Sequence, residues 1–267
     1  MKKYLYAMSL GVQEAMTYRS DFWLQIASAA FPIFIQTFLW QALYGGSGQS
    51  ALYGRSFAQM LSYSVAAAIL WRLLRTGFEY EINDDIKNGG LSKYVVRPIE
   101  YLPYRLSCFL GQKLAVLLSG LALIALALTC VGLYFHSTTV SVLSALLFLP
   151  ALLGAMALNF LIFFCVGMWG FWLQEIGFMF EAVRIVIVVL SGGIFPLEVF
   201  GPTVGEALKY LPFSYAVGFP VDVLTGTITG GAAFAGLLVQ LLWIALLTGF
   251  SRALWKKGCG KYLAAGG

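Results

Sequence analysis

Charge is the first thing this sequence lacks. Of its 267 residues only 11% are Asp, Glu, Lys or Arg, while 60% are hydrophobic. Soluble domains carry roughly 25% charged residues. Twelve acids and seventeen Lys or Arg cannot solvate a globule so rich in Leu, Phe and Val, so a soluble enzyme is excluded, and disorder with it. Histidine is scarcer still. His136 stands alone, with no carboxylate beside it, and reads as a residue of a short surface turn. The four cysteines, Cys108, Cys130, Cys165 and Cys259, are scattered singly without a CxxC pair, which removes a disulfide framework and a thiolate metal site. No GxxxxGK[ST] stretch occurs. Gly258-Cys259-Gly260-Lys261 has neither the spacing nor the following hydroxyl residue that a phosphate-binding loop requires. Ser191-Gly192-Gly193 resembles a hydrolase turn only faintly, because no base is placed to activate the serine. No catalytic residue, metal or cofactor is expected in the chain itself, and no nucleic acid partner.

Long apolar runs are what the chain has instead. About 20 apolar residues are needed for a helix to cross a hydrocarbon core of roughly 30 Å. Six runs qualify: 22–44, 57–74, 114–134, 146–168, 178–195 (the least clean) and 232–254. They lack the two-residue alternation of barrel strands. The expected fold is therefore all-α, a polytopic membrane protein of one domain with six transmembrane helices. Ahead of them, 1–20 carries Leu5, Met8, Val12 and Met16 on one helical stripe opposite Lys3 and Glu14, the pattern of an amphipathic helix lying in the membrane interface.

Orientation follows from the positive residues. With the N-terminus in the cytoplasm, Lys2, Lys3, Arg19, Arg72, Arg75, Lys87, Lys93, Arg97, Arg105, Lys113, Arg252, Lys256, Lys257 and Lys261 all fall inside. Those are fourteen of the seventeen. Arg55 and Lys209 fall outside, and Arg184 opens the fifth span. Both termini are thus expected in the cytoplasm of a cell-membrane protein. The outer connection 196–231 holds Pro196, Pro202, Pro212 and Pro220 yet is still apolar, with Phe200, Leu208, Leu211, Phe213, Tyr215 and Phe219. Short helices re-entering the outer leaflet would bury it, provided protein shields their backbone.

Ionisable groups within spans mark ion or proton paths, and here they are few. Glu175, Glu181 and Arg184 cluster at the inner end of the fifth span, the last two spaced to pair on one helical face. Gln36, Asn159 and Gln240 lie deeper; such groups bond across helices or line a cavity. Gln36, Asn159, Glu181 and Arg184 are the candidates for a substrate path.

The cytoplasmic connection 75–113 says most. Leu74, Phe78, Ile82 and Ile86 recur every fourth residue, Glu79, Glu81, Asp84 and Asp85 cover the other faces, and Gly89-Gly90 provides a stop. A short acidic helix with an apolar stripe either docks in a partner's groove or lies solvated at the headgroups, and periodicity does not choose.

Within 81–99, Ile86, Gly89, Leu91, Tyr94, Arg97 and Pro98 match a pattern of the membrane subunits of type-2 ABC exporters, with Val95 where leucine is commoner. The sequence resembles that permease family over essentially its whole length, in its six spans, N-terminal amphipathic helix and outer re-entrant segment. The resemblance implies a permease coupled to two ATP-binding-cassette ATPase subunits, which would bind ATP and Mg, and paired with a second permease, identical or homologous. It makes Phe78, Glu79, Glu81, Ile82, Asp84, Asp85 and Ile86 the ATPase-coupling residues. It also places the path between the second and fifth spans at the permease–permease interface. An ATP-independent secondary transporter or channel is the alternative; it would carry ionisable residues near the bilayer centre.

Overall fold

A computed structural model describes residues 2–17, 19–75, 77–95, 100–135, 140–173 and 175–266. Arg97, Pro98 and His136 lie outside the described residues. The described residues are all-α apart from one small hairpin. Among the described residues, four stretches are long and apolar enough to cross a membrane: Phe57–Lys87, Leu117–Phe135, Val142–Phe171 and Gly230–Tyr262.

Helix α1 (Lys2–Thr17) is followed by α2 (Arg19–Ser47). The chain then turns through the hairpin, in which Ala51–Leu52 pairs antiparallel with Arg55–Ser56. Its turn residues Tyr53 (φ 53°) and Gly54 (φ 75°) are both left-handed, as a two-residue loop between twisted strands requires. No strand is expected from the sequence here, because two-residue strands leave no periodicity to read. Helix α3 (Phe57–Leu74) starts on a capping box: the Ser56 hydroxyl accepts from the Gln59 amide, and the Gln59 side chain accepts from the Ser56 amide. Helix α4 (Phe78–Lys87) ends at Asn88, where Gly89 (φ 73°) turns the chain, as its sequence suggests. The one-turn helix α5 (Ser92–Val95) follows.

Helix α6 (Tyr101–Phe135) begins thirteen residues before the expected span, and its 35 residues make it about 50 Å long. Helix α7 (Val142–Met168), capped by Ser141, is the apolar centre of the molecule. Helix α8 (Gly177–Leu190) has only 14 residues, about 21 Å, and stops where Gly192 takes φ 81°. Helices α9 (Gly201–Lys209) and α10 (Gly218–Leu224) occupy the connection read as re-entrant, and α11 (Gly230–Gly266) closes the fold. The core gathers on α3 and α7, where Tyr63, Phe160 and Phe164 are fully buried and Phe78 of α4 stacks on Phe160 at 4.8 Å.

Helix α1 meets α6 differently from its expected stripe. Leu5 and Met16 are exposed, and Ala7 and Gly11 are the buried residues. A Cβ on Gly11 would sit 2.1 Å from the Cys108 carbonyl oxygen, and one on Gly111 would sit 2.0 Å from that of Met8. The two backbones touch through facing glycines, an approach that only small residues permit.

Candidate functional site

Two ends of the bundle carry buried charge. At the first, α4 is gripped from both sides. Toward α8, the Arg184 guanidinium donates to Glu79 and to Glu181, each at 2.5 Å. The Tyr80 hydroxyl donates to the same Glu181 carboxylate at 2.6 Å, and Lys87 pairs with Glu175 at 2.9 Å. Toward α6, Arg105 donates to both Glu81 and Asp85, and the Tyr101 hydroxyl donates to Asp85 at 2.9 Å. Glu79 is wholly buried and Arg184 is 9% exposed; a carboxylate so placed is tolerable only with a cation against it.

Electrostatics hold the arginine of this grip charged, while burial pushes the Glu81 carboxyl up against the pull of Arg105. Burial alone would lower the Arg105 pKa, yet Tyr101, Asp85 and Glu81 together hold it above the ordinary arginine range. Lys113 is pushed down to about 8 by burial, with Glu79 opposing the shift. Its ammonium donates to the Arg75 carbonyl, while Asn159 donates to the Leu74 carbonyl at 2.7 Å. These two side chains satisfy carbonyls that the end of α3 leaves open.

The apolar stripe of α4 is already covered. Phe78, Ile82 and Ile86 are 3%, 0% and 6% exposed. A Cβ on Gly167 would lie 3.0 Å from Ile82, and one on Gly170 would lie 3.4 Å from Ile86, so the groove that receives the stripe belongs to this chain. Periodicity marked a buried face without saying what buries it. Of the residues proposed for ATPase coupling, Phe78, Glu79, Ile82, Asp85 and Ile86 face inward, Glu81 is half-exposed, and Asp84 is exposed beside Tyr80, Lys87 and Asn88.

At the opposite end, Arg55 of the hairpin is 3% exposed and pairs with Asp222 of α10 at 2.8 Å and with Glu198 at 3.2 Å. It also donates to the Thr227 hydroxyl at 3.2 Å and lies over the Tyr63 ring. Burial raises the Asp222 pKa to about 6, although Arg55 opposes the rise. Sequence reading registered Arg55 only as a positive charge on the minority side, because its partners lie more than 140 residues away. Below this cluster the Tyr63 hydroxyl donates to the Gly192 carbonyl at 2.8 Å, and the Gly218 amide to the Ser191 carbonyl at 2.7 Å. The break after α8 is thereby fastened to α3 and α10.

The path candidates are not brought to one place. Glu181 and Arg184 belong to the grip on α4, and Asn159 to the end of α3. Gln36 lines a cleft of about 320 Å³ between α2, α3, α8 and the stretch 193–195, with Pro32, Leu39, Ala68, Trp71 and Val188 around it. Gln240 ties α11 to the Ala151 and Tyr215 carbonyls. Among the described residues, no three side chains of metal-ligating type converge.

An all-helical bundle whose apolar helices suffice to cross a membrane several times, with a short charged helix clamped at one end, defines a multi-pass membrane protein. The family model of the ABC-2 family transporter protein matches residues 30–266, and the chain belongs to that family as a transmembrane permease. No curated protein matches it.

Proposed function

We propose that this chain is the permease subunit of an ATP-driven exporter, working with two ATP-binding-cassette subunits that hold ATP and Mg and with a second permease, identical or homologous. The α4 end faces the cytoplasm, where the positive-inside rule puts both termini. Helices α2 and α8 supply the two spans beyond the four apolar stretches, α8 together with the broken stretch that follows it. Helices α9 and α10 form the re-entrant cap at the outer face. The membrane is the cell membrane.

One observation carries the reading. Helix α4 exposes Asp84, and its C-terminal cap exposes Asn88, while Arg105 and Arg184 fix the remaining acids of α4 to α6 and α8. A push on the exposed face would reach two further helices at once, and α8 borders the cleft lined by Gln36. The absence of a nucleotide motif from these 267 residues supports a push that comes from a separate ATPase.

The test is co-purification. Asp84→Arg with Asn88→Arg changes only exposed positions one turn apart and should cut recovery of a co-expressed ATP-binding-cassette subunit at least several-fold, with the permease itself still monodisperse. Ile82→Lys should instead lower the yield of the permease, because it places a charge against Gly167. Undiminished recovery with the arginine pair would overturn the coupling role of α4.

A further inference from the structure

The cleft between α2, α3 and α8 contains one polar group with nothing to bond. Gln36 is 5% exposed, and its Oε1 is buried without a hydrogen-bond partner among the described residues. The Oδ1 atoms of Asn83 and Asn159 are likewise unpaired, but Asn159 and Gln240 still use their amides to bind backbone carbonyls across helices, at 2.7 Å and at 2.9 and 3.0 Å, and Gln36 makes no such bond among the described residues. A buried acceptor left unpaired is unfavourable, and in native structures such a group points to a missing partner.

The walls define what that partner can be. Pro32, Leu39, Ala68, Trp71 and Val188 are apolar, and among the described residues the lining contains no carboxylate. A cation entering here would lose its hydration with no counter-charge, which is strongly unfavourable at this depth. Arg72, the one ionisable residue of the lining among the described residues, donates to the Ser28 carbonyl at 3.3 Å, so an anion would have to draw it away from that bond.

We infer that this cleft binds an uncharged, largely apolar molecule whose one hydroxyl or amide group pairs with the Gln36 carboxamide. The inference rests on the transport path proposed above and names the class of compound that path accepts. Polar recognition comes from α2, at the position where α3 and α8 supply the apolar walls. Because the discriminating group is a neutral carboxamide, selection works by excluding charge and rewarding a single well-placed hydrogen-bonding group.

Photolabelling of the purified full-length chain tests this with four probes on one photoreactive core. These are 4-hydroxymethylbenzophenone, 4-methylbenzophenone, 4-benzoylbenzoate and (4-benzoylbenzyl)trimethylammonium, with labelled peptides located by mass spectrometry. The hydroxymethyl probe should label peptides containing Pro32–Leu39, Ala68–Trp71 or Val188–Phe195 about two- to ten-fold more than the methyl probe, the value of one hydrogen bond. The trimethylammonium probe should label them least. Gln36→Leu should erase the advantage of the hydroxyl. Equal labelling by the hydroxymethyl and methyl probes, or stronger labelling by either charged probe, would overturn the inference. The probe comparison is made on the wild-type chain, so it stands whatever the variant does to folding. It also needs no ATPase: failure here with ATPase co-purification intact rejects the ligand class alone, whereas loss of co-purification with labelling intact rejects the exporter reading and leaves the binding site.

Discussion

Arginine 184 offers the sharpest test of how α4 is held. Replacing it with methionine keeps the aliphatic bulk and removes the guanidinium that joins Glu79 to Glu181. Breaking a buried ion pair from one side costs about 3–5 kcal/mol, because the surviving charge stays buried. The Glu181 arm adds little, since that side chain is 53% exposed and exposed pairs are worth at most about 1 kcal/mol. Lys113 supplies a second positive charge that acts on Glu79, which places the expected loss at the low end, about 3 kcal/mol. Glu79→Gln on top of Arg184→Met removes the stranded charge and should recover most of this, giving a coupling of about 2 kcal/mol in the double-mutant cycle. The assay is unfolding of the detergent-purified chain by increasing SDS fraction, with gel filtration confirming that each variant starts folded. A coupling below about 0.5 kcal/mol, the size at which sites count as independent, would refute the claim that this contact fixes α4 to α8.

Two further outcomes follow from the geometry. Asp222 binds its proton more tightly in the folded chain (pKa about 6) than its ordinary value of 3.8 allows, so its contribution to stability is present at low pH and is lost as pH rises through about 6. Between pH 7 and pH 5 the fold should gain about 1 kcal/mol, seen as a higher apparent unfolding temperature, and Asp222→Asn should remove that part of the pH dependence; an unchanged profile in the variant would show that another group titrates. Gly11→Leu or Gly111→Leu should cost about 1–3 kcal/mol by overpacking and separate α1 from α6, because neither backbone carbonyl opposite can yield. Disulfide trapping between Cys108 and a cysteine introduced at position 12 would report the separation, and undisturbed trapping would refute the close contact.

Much of the architecture was legible because apolar length is itself the signal for a membrane helix. The pairing of Glu181 with Arg184 followed from their spacing on one helix, and the end of α4 from Gly89. What the sequence could not reveal depends on contacts distant along the chain. Glu79 meets an arginine 105 residues away and Arg55 an aspartate 167 residues away; no local pattern encodes either. The stripe on α4 could be seen, but whether a partner or the chain itself covers it is decided by Gly167 and Gly170 of the segment against which it packs. Gly11 and Gly111 did carry a signal: glycines within otherwise bulky helices mark close backbone approach.

The grip on α4 alters what an approaching protein would meet. By composition this helix is acidic, but Glu79, Glu81 and Asp85 are matched by Arg184 and Arg105 and Lys87 is matched by Glu175, leaving Asp84 as the exposed acid of the outward face without an ion pair among the described residues. A single unmatched carboxylate gives this surface only a weak field in solvent. Association there would depend more on shape and desolvation than on long-range attraction, and raising the ionic strength would change it only slightly.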